Sequence, residues 1–269
     1  MNILYLSHSN ERTHRRTSYS ILSCLMQQGS CTCPITLYTD DCDWYKPFQS
    51  LITIEYLSPQ QISAWTESAR GYRNIVKAEI FQRQEDSFVF FDSDTVLVKP
   101  LAPLLSRVTE STSVMQCREY MLGKKREFAD LIQDANFPEI TATTWMYNSG
   151  ILGVHKENLS RIKKVKQRVL ELLASHKVRT PEQLLDGIFL SQCSAIRTAP
   201  GWIYHYWQDK KYADDIIDGL FQTHGLPRMV DMVRNGEGKQ LFHLGFRKIP
   251  WLYDIFMRIS AHLEQFENA

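Results

Sequence analysis

Two aspartates separated by one residue, Asp92 and Asp94, are the most informative chemical feature of this chain. They follow a run of bulky apolar residues at 88–91, the pattern of a strand that is buried on both faces. Residues i and i+2 of a strand point to the same side, so the sequence predicts that both carboxylates converge on one point. Two converging anions need a cation, and oxygen ligands of this kind suit Mg²⁺ or Mn²⁺, with substrate phosphates completing the shell. A solvated surface turn is the alternative, but the apolar residues on both sides disfavour it.

A second polar motif, Asn148-Ser149-Gly150, joins an apolar segment that continues to residue 154. Gly150 permits close approach of the backbone, and the Asn148 amide can both donate and accept hydrogen bonds to a sugar-like ligand. A simple turn explains the same residues equally well.

Near the end of the chain, His243, Gly245 and Lys248 lie close together in sequence. His243 could supply a nitrogen ligand to a metal held by the aspartates, and Lys248 could neutralise a diphosphate. His205 competes for the same ligand role. A lone histidine after a strand is more often structural.

Two further charged residues fall inside predicted helices. Asp186 is an acid within an apolar helix, where it needs a partner or a function. Lys77 lies on a helix that could pack beside the acidic strand, although a solvated lysine is the default interpretation.

Strand and helix signals alternate through the first half of the chain, and this alternation predicts an α/β fold whose mostly parallel central sheet has helices on both faces. Ligands of such sheets bind beyond the carboxyl ends of the strands, where Ser7, Asp40 and Asp92 fall. The segments predicted as strands are 3–7, 35–38, 52–57, 88–98 and 113–117, with a further apolar segment at 145–154. Helices are predicted at 17–28, 59–70, 73–84 and 156–176, and another opens at 180–182, where Thr180 precedes Pro181. Residues 196–240 are predicted to be aromatic and irregular.

Composition excludes several classes of function. The chain has 269 residues and a formal net charge of +1, so it lacks the excess of positive charge that is typical of proteins that bind nucleic acids. Six cysteines show no zinc spacing and are expected to be reduced thiols. The start of the chain reads as a strand rather than a signal peptide, and no apolar run approaches membrane-spanning length, so a cytoplasmic protein is expected. A single domain over 1–269 is predicted, with a nucleotide-binding half at 1–118 and an acceptor half at 119–269.

Taken in order, these segments resemble the nucleotide-sugar glycosyltransferases with the GT-A fold, and most closely the glycogenin and bacterial lipopolysaccharide galactosyltransferase family. Asp92-Ser93-Asp94 resembles the metal-binding Asp-x-Asp motif of that family. Asn148-Ser149-Gly150 resembles its turn beside the donor sugar, and Lys77 falls near a basic residue that contacts the donor. His243, Gly245 and Lys248 resemble a His-x-x-Gly-x-x-Lys-Pro-Trp motif.

The resemblance implies a metal-dependent and retaining hexosyltransferase that uses Mn²⁺ or Mg²⁺ and, as donor, a UDP-linked sugar. The acceptor would be a glycan, a lipid-linked molecule or a protein. Asp92, Asp94 and His243 would hold the metal, and Asp186 and Asn148 would act at the donor sugar as catalytic residues. Substrate contacts would come from Ser7, Lys77, Asp92, Ser93, Asn148, Gly150, Gly245 and Lys248. Segment 251–266 could rest on a membrane surface, although a docking helix is the commoner outcome.

The chain departs from the family pattern at several positions. Gly245 follows His243 by two residues instead of three, and Ile249 separates Lys248 from Pro250. An Asp-Gln helix start in the family is replaced here by Asp186-Gly187, so Asp186 could match either position.

Two rival functions remain open from the sequence. Asp92-Ser93-Asp94-Thr95 also fits the nucleophile motif of haloacid-dehalogenase phosphatases, with Asp214, Asp215 and Asp218 as a distal acidic cluster after Lys210 or Lys211. In that family, however, the motif usually lies on the first core strand. The second rival is a protein that binds sugar nucleotides but has lost turnover.

Overall fold

A computed structural model describes residues 1–29, 31–206 and 209–243 of the chain. The strands in this part are β1 (Asn2–Ser7), β2 (Ile35–Thr39), β3 (Thr53–Tyr56), β4 (Phe88–Phe91), β5 (Thr95–Leu97), β6 (Thr112–Met121), β7 (Trp145–Val154), β8 (Ala195–Thr198) and β9 (Ile203–His205). The helices are α1 (Glu11–Gln28), α2 (Pro59–Ser68), α3 (Ile75–Gln82), α4 (Ala102–Leu105), α5 (Ala129–Gln133), α6 (Leu159–Ser175), α7 (Pro181–Ser191), α8 (Lys210–Arg234) and α9 (Lys239–His243). Short 3₁₀ turns occur at Lys46–Phe48, Leu122–Lys124, Arg126–Phe128 and Lys156–Asn158.

Among the residues that the structure describes, seven strands form the central sheet, in the order β3-β2-β1-β4-β7-β6-β8, and helices flank it. Within this mostly parallel sheet β7 runs antiparallel to both β4 and β6, whereas β6 and β8 are parallel. A second sheet consists of β5 and β9, which pair antiparallel with Thr95 opposite His205. The predicted α/β class with a mostly parallel sheet is therefore confirmed.

The chain divides into two compact units that interleave in sequence. One unit contains 1–4, 56–91 and 105–198, and the other contains 5–55, 92–104 and 199–269. The prediction of a single domain with halves at 1–118 and 119–269 stays a prediction.

The core of the first unit explains the apolar run before the aspartates. All four residues of β4 are buried, and the ring of Phe90 meets Phe81 of α3 edge to face with centroids 5.4 Å apart. Burial on both faces is what the unbroken apolar pattern predicts, and it places the end of β4 at a fixed position on the sheet.

The predicted strand at 88–98 is wrong in its length, because the chain leaves the central sheet after Phe91 and enters the second sheet at Thr95. The intervening aspartates therefore lie in a turn. The prediction of an irregular segment after residue 195 is also wrong, since α8 covers 25 residues of it. Gly225 has a positive φ of 67° and Pro227 follows it, and this kink hides the helical spacing of the apolar residues on either side.

Within the described ranges, every helix is too short or too polar to cross a lipid bilayer.

Candidate functional site

The Asp-x-Asp motif occupies the turn between β4 and β5. The hydroxyl of Thr95 donates a 2.7 Å hydrogen bond to the backbone carbonyl of Asp92, which closes the turn around Ser93. The two carboxylates approach each other because the chain turns there, and not because both lie on one face of a strand as the sequence suggested. The predicted convergence is correct, but its cause is different.

Asp94 is the buried member of the pair and, in the described part of the chain, has two basic partners. The Nε2 atom of His205 lies 3.1 Å from Oδ1, and the Nζ atom of Lys210 lies 2.8 Å from Oδ2. The backbone N–H of Tyr206 also donates to the backbone carbonyl of Asp94, at 3.2 Å. Pairing of β5 with β9 therefore brings His205 to the acid, and the first residue of α8 brings Lys210.

These partners keep Asp94 ionised although it is buried. Burial on its own would raise the pKa of the Asp94 carboxyl, but hydrogen bonding to His205 and the positive charges of His205 and Lys210 hold that pKa well below its usual range. The carboxylate is thus prepared to accept a cation at neutral pH.

Asp92, Asp94 and His205 form a group that could hold a metal ion. One ligand atom from each residue lies within 4.8 Å of the others. Two carboxylate oxygens and one imidazole nitrogen suit a divalent ion such as Mn²⁺, and the lysine at Asp94 marks a position where positive charge is already stabilised. The residues present fit a divalent metal.

His205 is the histidine that the structure places at the aspartates. The sequence alone offers His205 only as an alternative to His243 for the nitrogen ligand. The side chain of His243, and the residues Gly245 and Lys248, lie outside the described part of the chain, so their predicted roles remain predictions.

Ion pairs between α1 and α8 fix the helix that carries Lys210. Arg16 donates to both carboxylate oxygens of Asp214, at 2.7 and 2.6 Å. Asp218 lies one turn after Asp214 on α8 and accepts a hydrogen bond from Arg15 at 2.9 Å. Asp214 and Asp218, two of the three distal acids of the phosphatase alternative, thus pair with arginines and have a structural role.

Arg16→Met should destabilise the protein by about 3 kcal/mol, because removal of one partner leaves the buried Asp214 carboxylate poorly compensated. The free energy of unfolding, measured by urea denaturation, tests this. Arg12→Met is the matched control, since Arg12 is 66% exposed and lies 3.8 Å from the same carboxylate. Its expected cost is below about 1 kcal/mol. Equal costs for the two variants would contradict the assignment.

Ser7, a predicted substrate contact, belongs to a buried network at the end of β1. Its hydroxyl accepts a hydrogen bond from the Tyr45 hydroxyl at 2.7 Å and lies 2.9 Å from Nδ1 of His14. Burial lowers the pKa of His14, although the charge of Asp40 opposes this shift. Ser7 is fully buried, so any contact with a ligand would require this network to rearrange.

The other predicted residues lie in the first unit, around β7. Lys77 is buried, and its Nζ atom donates to the hydroxyl of Ser149 at 3.0 Å and lies 4.7 Å from the centroid of the Phe90 ring. The predicted packing of the Lys77 helix beside β4 is therefore observed. The Asn148 Oδ1 atom accepts from the N–H of Gly150 at 2.9 Å, so the motif is a hydrogen-bonded unit.

The Asn148 amide is oriented by a residue that the sequence did not single out. Its Nδ2 atom donates to Oε1 of Glu119 at 2.9 Å, and Gln183 of α7 donates to the other oxygen at 3.3 Å. Asp186 lies one turn after Glu182 on α7, and both are buried. Gly187 allows α7 to approach β7 closely, since a Cβ atom there would lie 2.9 Å from the Tyr147 ring.

Lys210, Glu119 and Glu182 are the contacts that sequence reasoning missed as site residues. Lys210 appears only in the phosphatase alternative, and Glu119 lies within β6 with no motif around it. Glu182 did carry a signal, because it falls in the first turn of a helix one turn before another acid.

No protein-family model matches the sequence, and no curated protein sequence matches it. Among solved structures, the galactosyltransferase LgtC in complex with donor and acceptor sugar analogs is similar with a TM-score of 0.57 at 11% identity, covering 83% of this chain and 96% of its own. An active-site mutant of LgtC is similar with the same TM-score and coverage at 13% identity. Mouse xyloside xylosyltransferase 1 has a TM-score of 0.48 at 11% identity, covering 82% of this chain and 93% of its own. The two LgtC structures show that this chain has a GT-A-like glycosyltransferase fold.

Proposed function

We propose, from the GT-A-like fold and the acidic turn after β4, that this protein is a metal-dependent glycosyltransferase that transfers a hexose from a nucleotide diphosphate sugar. The observation that carries the proposal is the group of Asp92, Asp94 and His205, whose ligand atoms lie within 4.8 Å of one another. UDP is the proposed nucleotide, and the acceptor is a glycan, a lipid-linked molecule or a protein. The expected cytoplasmic location and the expected absence of nucleic-acid binding stay predictions.

The proposed cofactor is Mn²⁺ or Mg²⁺, held by Asp92, Asp94 and His205. When bound, such an ion stabilises the negative charge that develops on the diphosphate as the glycosidic bond breaks. Asp94 contributes an ionised carboxylate to this site, and His205 contributes an imidazole nitrogen. Ser93 lies in the same turn and is proposed to contact the donor through its backbone or hydroxyl.

Lys210 is proposed to change partners during the reaction. Its Nζ atom neutralises Asp94 in the absence of a metal, at 2.8 Å, while its side chain is 45% exposed. A flexible and partly exposed ammonium group can move from the carboxylate to a phosphate oxygen at small cost. Lys210 would then add positive charge at the leaving group, the role predicted for Lys248.

Lys210→Met should shift two affinities in opposite directions. Mn²⁺ should bind several-fold more tightly, because a competing cation is removed from Asp94, and UDP should bind several-fold more weakly in the presence of Mn²⁺. Isothermal titration calorimetry measures both constants. Lys211→Met, which removes an exposed neighbouring lysine, is the control and should change neither by more than about twofold. Weaker binding of both ligands would show that Lys210 does not compete with the metal.

Around β7, we propose that Asn148, Gly150 and Asp186 hold the donor sugar and that Lys77 orients them through Ser149. The two-point contact of Lys77 with Ser149, at 3.0 Å to the hydroxyl and 3.3 Å to the carbonyl, supports this role. Oriented amides and carboxylates stabilise an oxocarbenium-like transition state. Retention of anomeric configuration stays a prediction from the family resemblance.

A panel of nucleotide sugars tests the proposed function. Each donor is incubated with the protein and Mn²⁺, and released nucleotide and the melting temperature are both measured. We expect one or a few donors to raise the melting temperature and to be hydrolysed slowly. Both effects should disappear when the metal is chelated. Hydrolysis of a generic aryl phosphate without effect of any nucleotide sugar would favour the phosphatase alternative. Tight nucleotide binding without hydrolysis or transfer would favour an inactive sugar-nucleotide-binding protein.

A further inference from the structure

We propose that Glu182 is a positioning residue of this enzyme, whose carboxyl group fastens the start of α7 to the start of α3 by hydrogen bonds that need no negative charge. The two helices carry Asp186 and Lys77, the residues proposed to act at and around the donor sugar. This inference rests on the proposed function, and it adds a residue that neither the motifs nor the fold likeness assigns.

The contacts of Glu182 join two helix starts. The carboxyl Oε1 accepts a hydrogen bond from Nδ2 of Asn74 at 3.0 Å, and Oε2 is in short hydrogen-bond contact with the hydroxyl of Tyr72. Asn74 is the N-cap residue of α3, yet its side chain makes no capping hydrogen bond and points to Glu182 instead. A residue type that normally caps its own helix is therefore used to bind another helix.

Both helices that Glu182 joins are tied to β7. Lys77, three residues after Asn74, binds Ser149 through its ammonium group. On α7, Gly187 packs against the ring of Tyr147 with no space for a side chain. A change at Glu182 would therefore shift Lys77 and Asp186 relative to β7, and a misplacement of such groups by about 1 Å is costly in catalysis.

Burial favours the uncharged form of Glu182, although hydrogen bonds from the backbone N–H groups of Glu182 and Gln183 oppose it. Burial is the main cause that raises the pKa of Glu182, and the negative charge of Asp186, one turn away, is the second. Together they raise this pKa to about 8. Tyr72 is the titratable group that contacts it from the segment before α3, and Tyr147 packs beside Gly187 from β7. The Tyr72 hydroxyl donates to Oε2 and the Asn74 amide donates to Oε1, and an uncharged carboxyl group retains the capacity to accept both hydrogen bonds.

The test compares Glu182→Gln, Glu182→Ala and Tyr72→Phe with the unmodified protein, on the donor that the nucleotide-sugar panel identifies. Glu182→Gln keeps the size and the uncharged state, so its kcat at pH 7 should stay within about threefold. Its kcat should also lack the decline that we expect for the unmodified protein as the pH rises through 8. Glu182→Ala and Tyr72→Phe should lower kcat about tenfold or more with a smaller change in the KM of the donor.

A stability readout accompanies the kinetics. The folded protein keeps a proton on Glu182 that the unfolded chain releases near pH 4.5, so this residue should make the free energy of unfolding fall from about pH 4.5 to 8. Glu182→Gln removes this contribution and should be the more stable protein at pH 8.5.

Each outcome decides one question. Loss of kcat in Glu182→Gln equal to that in Glu182→Ala would overturn the inference, because the negative charge would then be required. Unchanged kcat in both Glu182→Ala and Tyr72→Phe would overturn it as well. If the unmodified protein uses no nucleotide sugar, the proposed function has failed and the positioning role fails with it, while the pH dependence of unfolding still reports whether Glu182 is uncharged.

Discussion

Asp94→Asn should reduce metal-dependent transfer by at least about a hundredfold. The substitution keeps the shape of the side chain but removes the buried negative charge that both Lys210 and the metal require. A metal that stabilises a departing diphosphate supplies several kcal/mol, and each 1.4 kcal/mol is a factor of ten in rate. The rate of transfer with saturating Mn²⁺ and donor measures the loss, and circular dichroism measures whether the fold is kept.

Asp215→Asn is the matched control for this experiment. It removes the same charge from an exposed position on α8 and should leave transfer within about twofold of the unmodified protein. Full activity of Asp94→Asn without added metal would contradict the proposed mechanism. A comparable loss in both variants would point to a general electrostatic effect in place of coordination.

His205→Ala should weaken Mn²⁺ binding at least tenfold, because it removes one of three ligands and also one of the two basic partners of Asp94. Loss of a protein ligand or of its orienting contacts costs on the order of ten- to a hundredfold in metal affinity. The paramagnetic signal of free Mn²⁺ measures the dissociation constant directly.

His243→Ala is the second arm of that experiment, and it discriminates the two histidines that the sequence left open. If His205 is the nitrogen ligand, His243→Ala should bind Mn²⁺ with nearly unchanged affinity. A large loss with His243→Ala and none with His205→Ala would return the ligand role to His243. His155→Ala serves as the control, because it removes a histidine that is distant in sequence from both His205 and His243, and it should leave the affinity for Mn²⁺ unchanged.

The sequence was sufficient for the parts of the site that depend on local pattern. The unbroken apolar run at β4 predicted a strand buried on both faces, and the acids that follow it were recognised as the candidate metal ligands. The fold class followed from the alternation of strand and helix signals. The position of Lys77 on a helix beside β4 was predicted, but the default interpretation of a solvated lysine is wrong, because Lys77 is buried against Ser149 and Phe90.

Long-range pairing explains what the sequence could not provide. His205 reaches Asp94 because β9 pairs with β5, and their 111-residue separation leaves no local signal. The choice between His205 and His243 was therefore undetermined. The kink at Gly225 and Pro227 similarly concealed α8, and with it the role of Lys210. Glu182 was overlooked because its partners, Tyr72 and Asn74, lie about 110 residues earlier in the chain.

A crystal structure of the protein with Mn²⁺ and UDP tests the central claim most directly. The anomalous signal of manganese should lie at roughly 2 Å from a carboxylate oxygen of Asp92, an oxygen of Asp94 and a nitrogen of His205, with diphosphate oxygens on its open side. Manganese and UDP bound elsewhere, with both carboxylates turned away from them, would contradict the account.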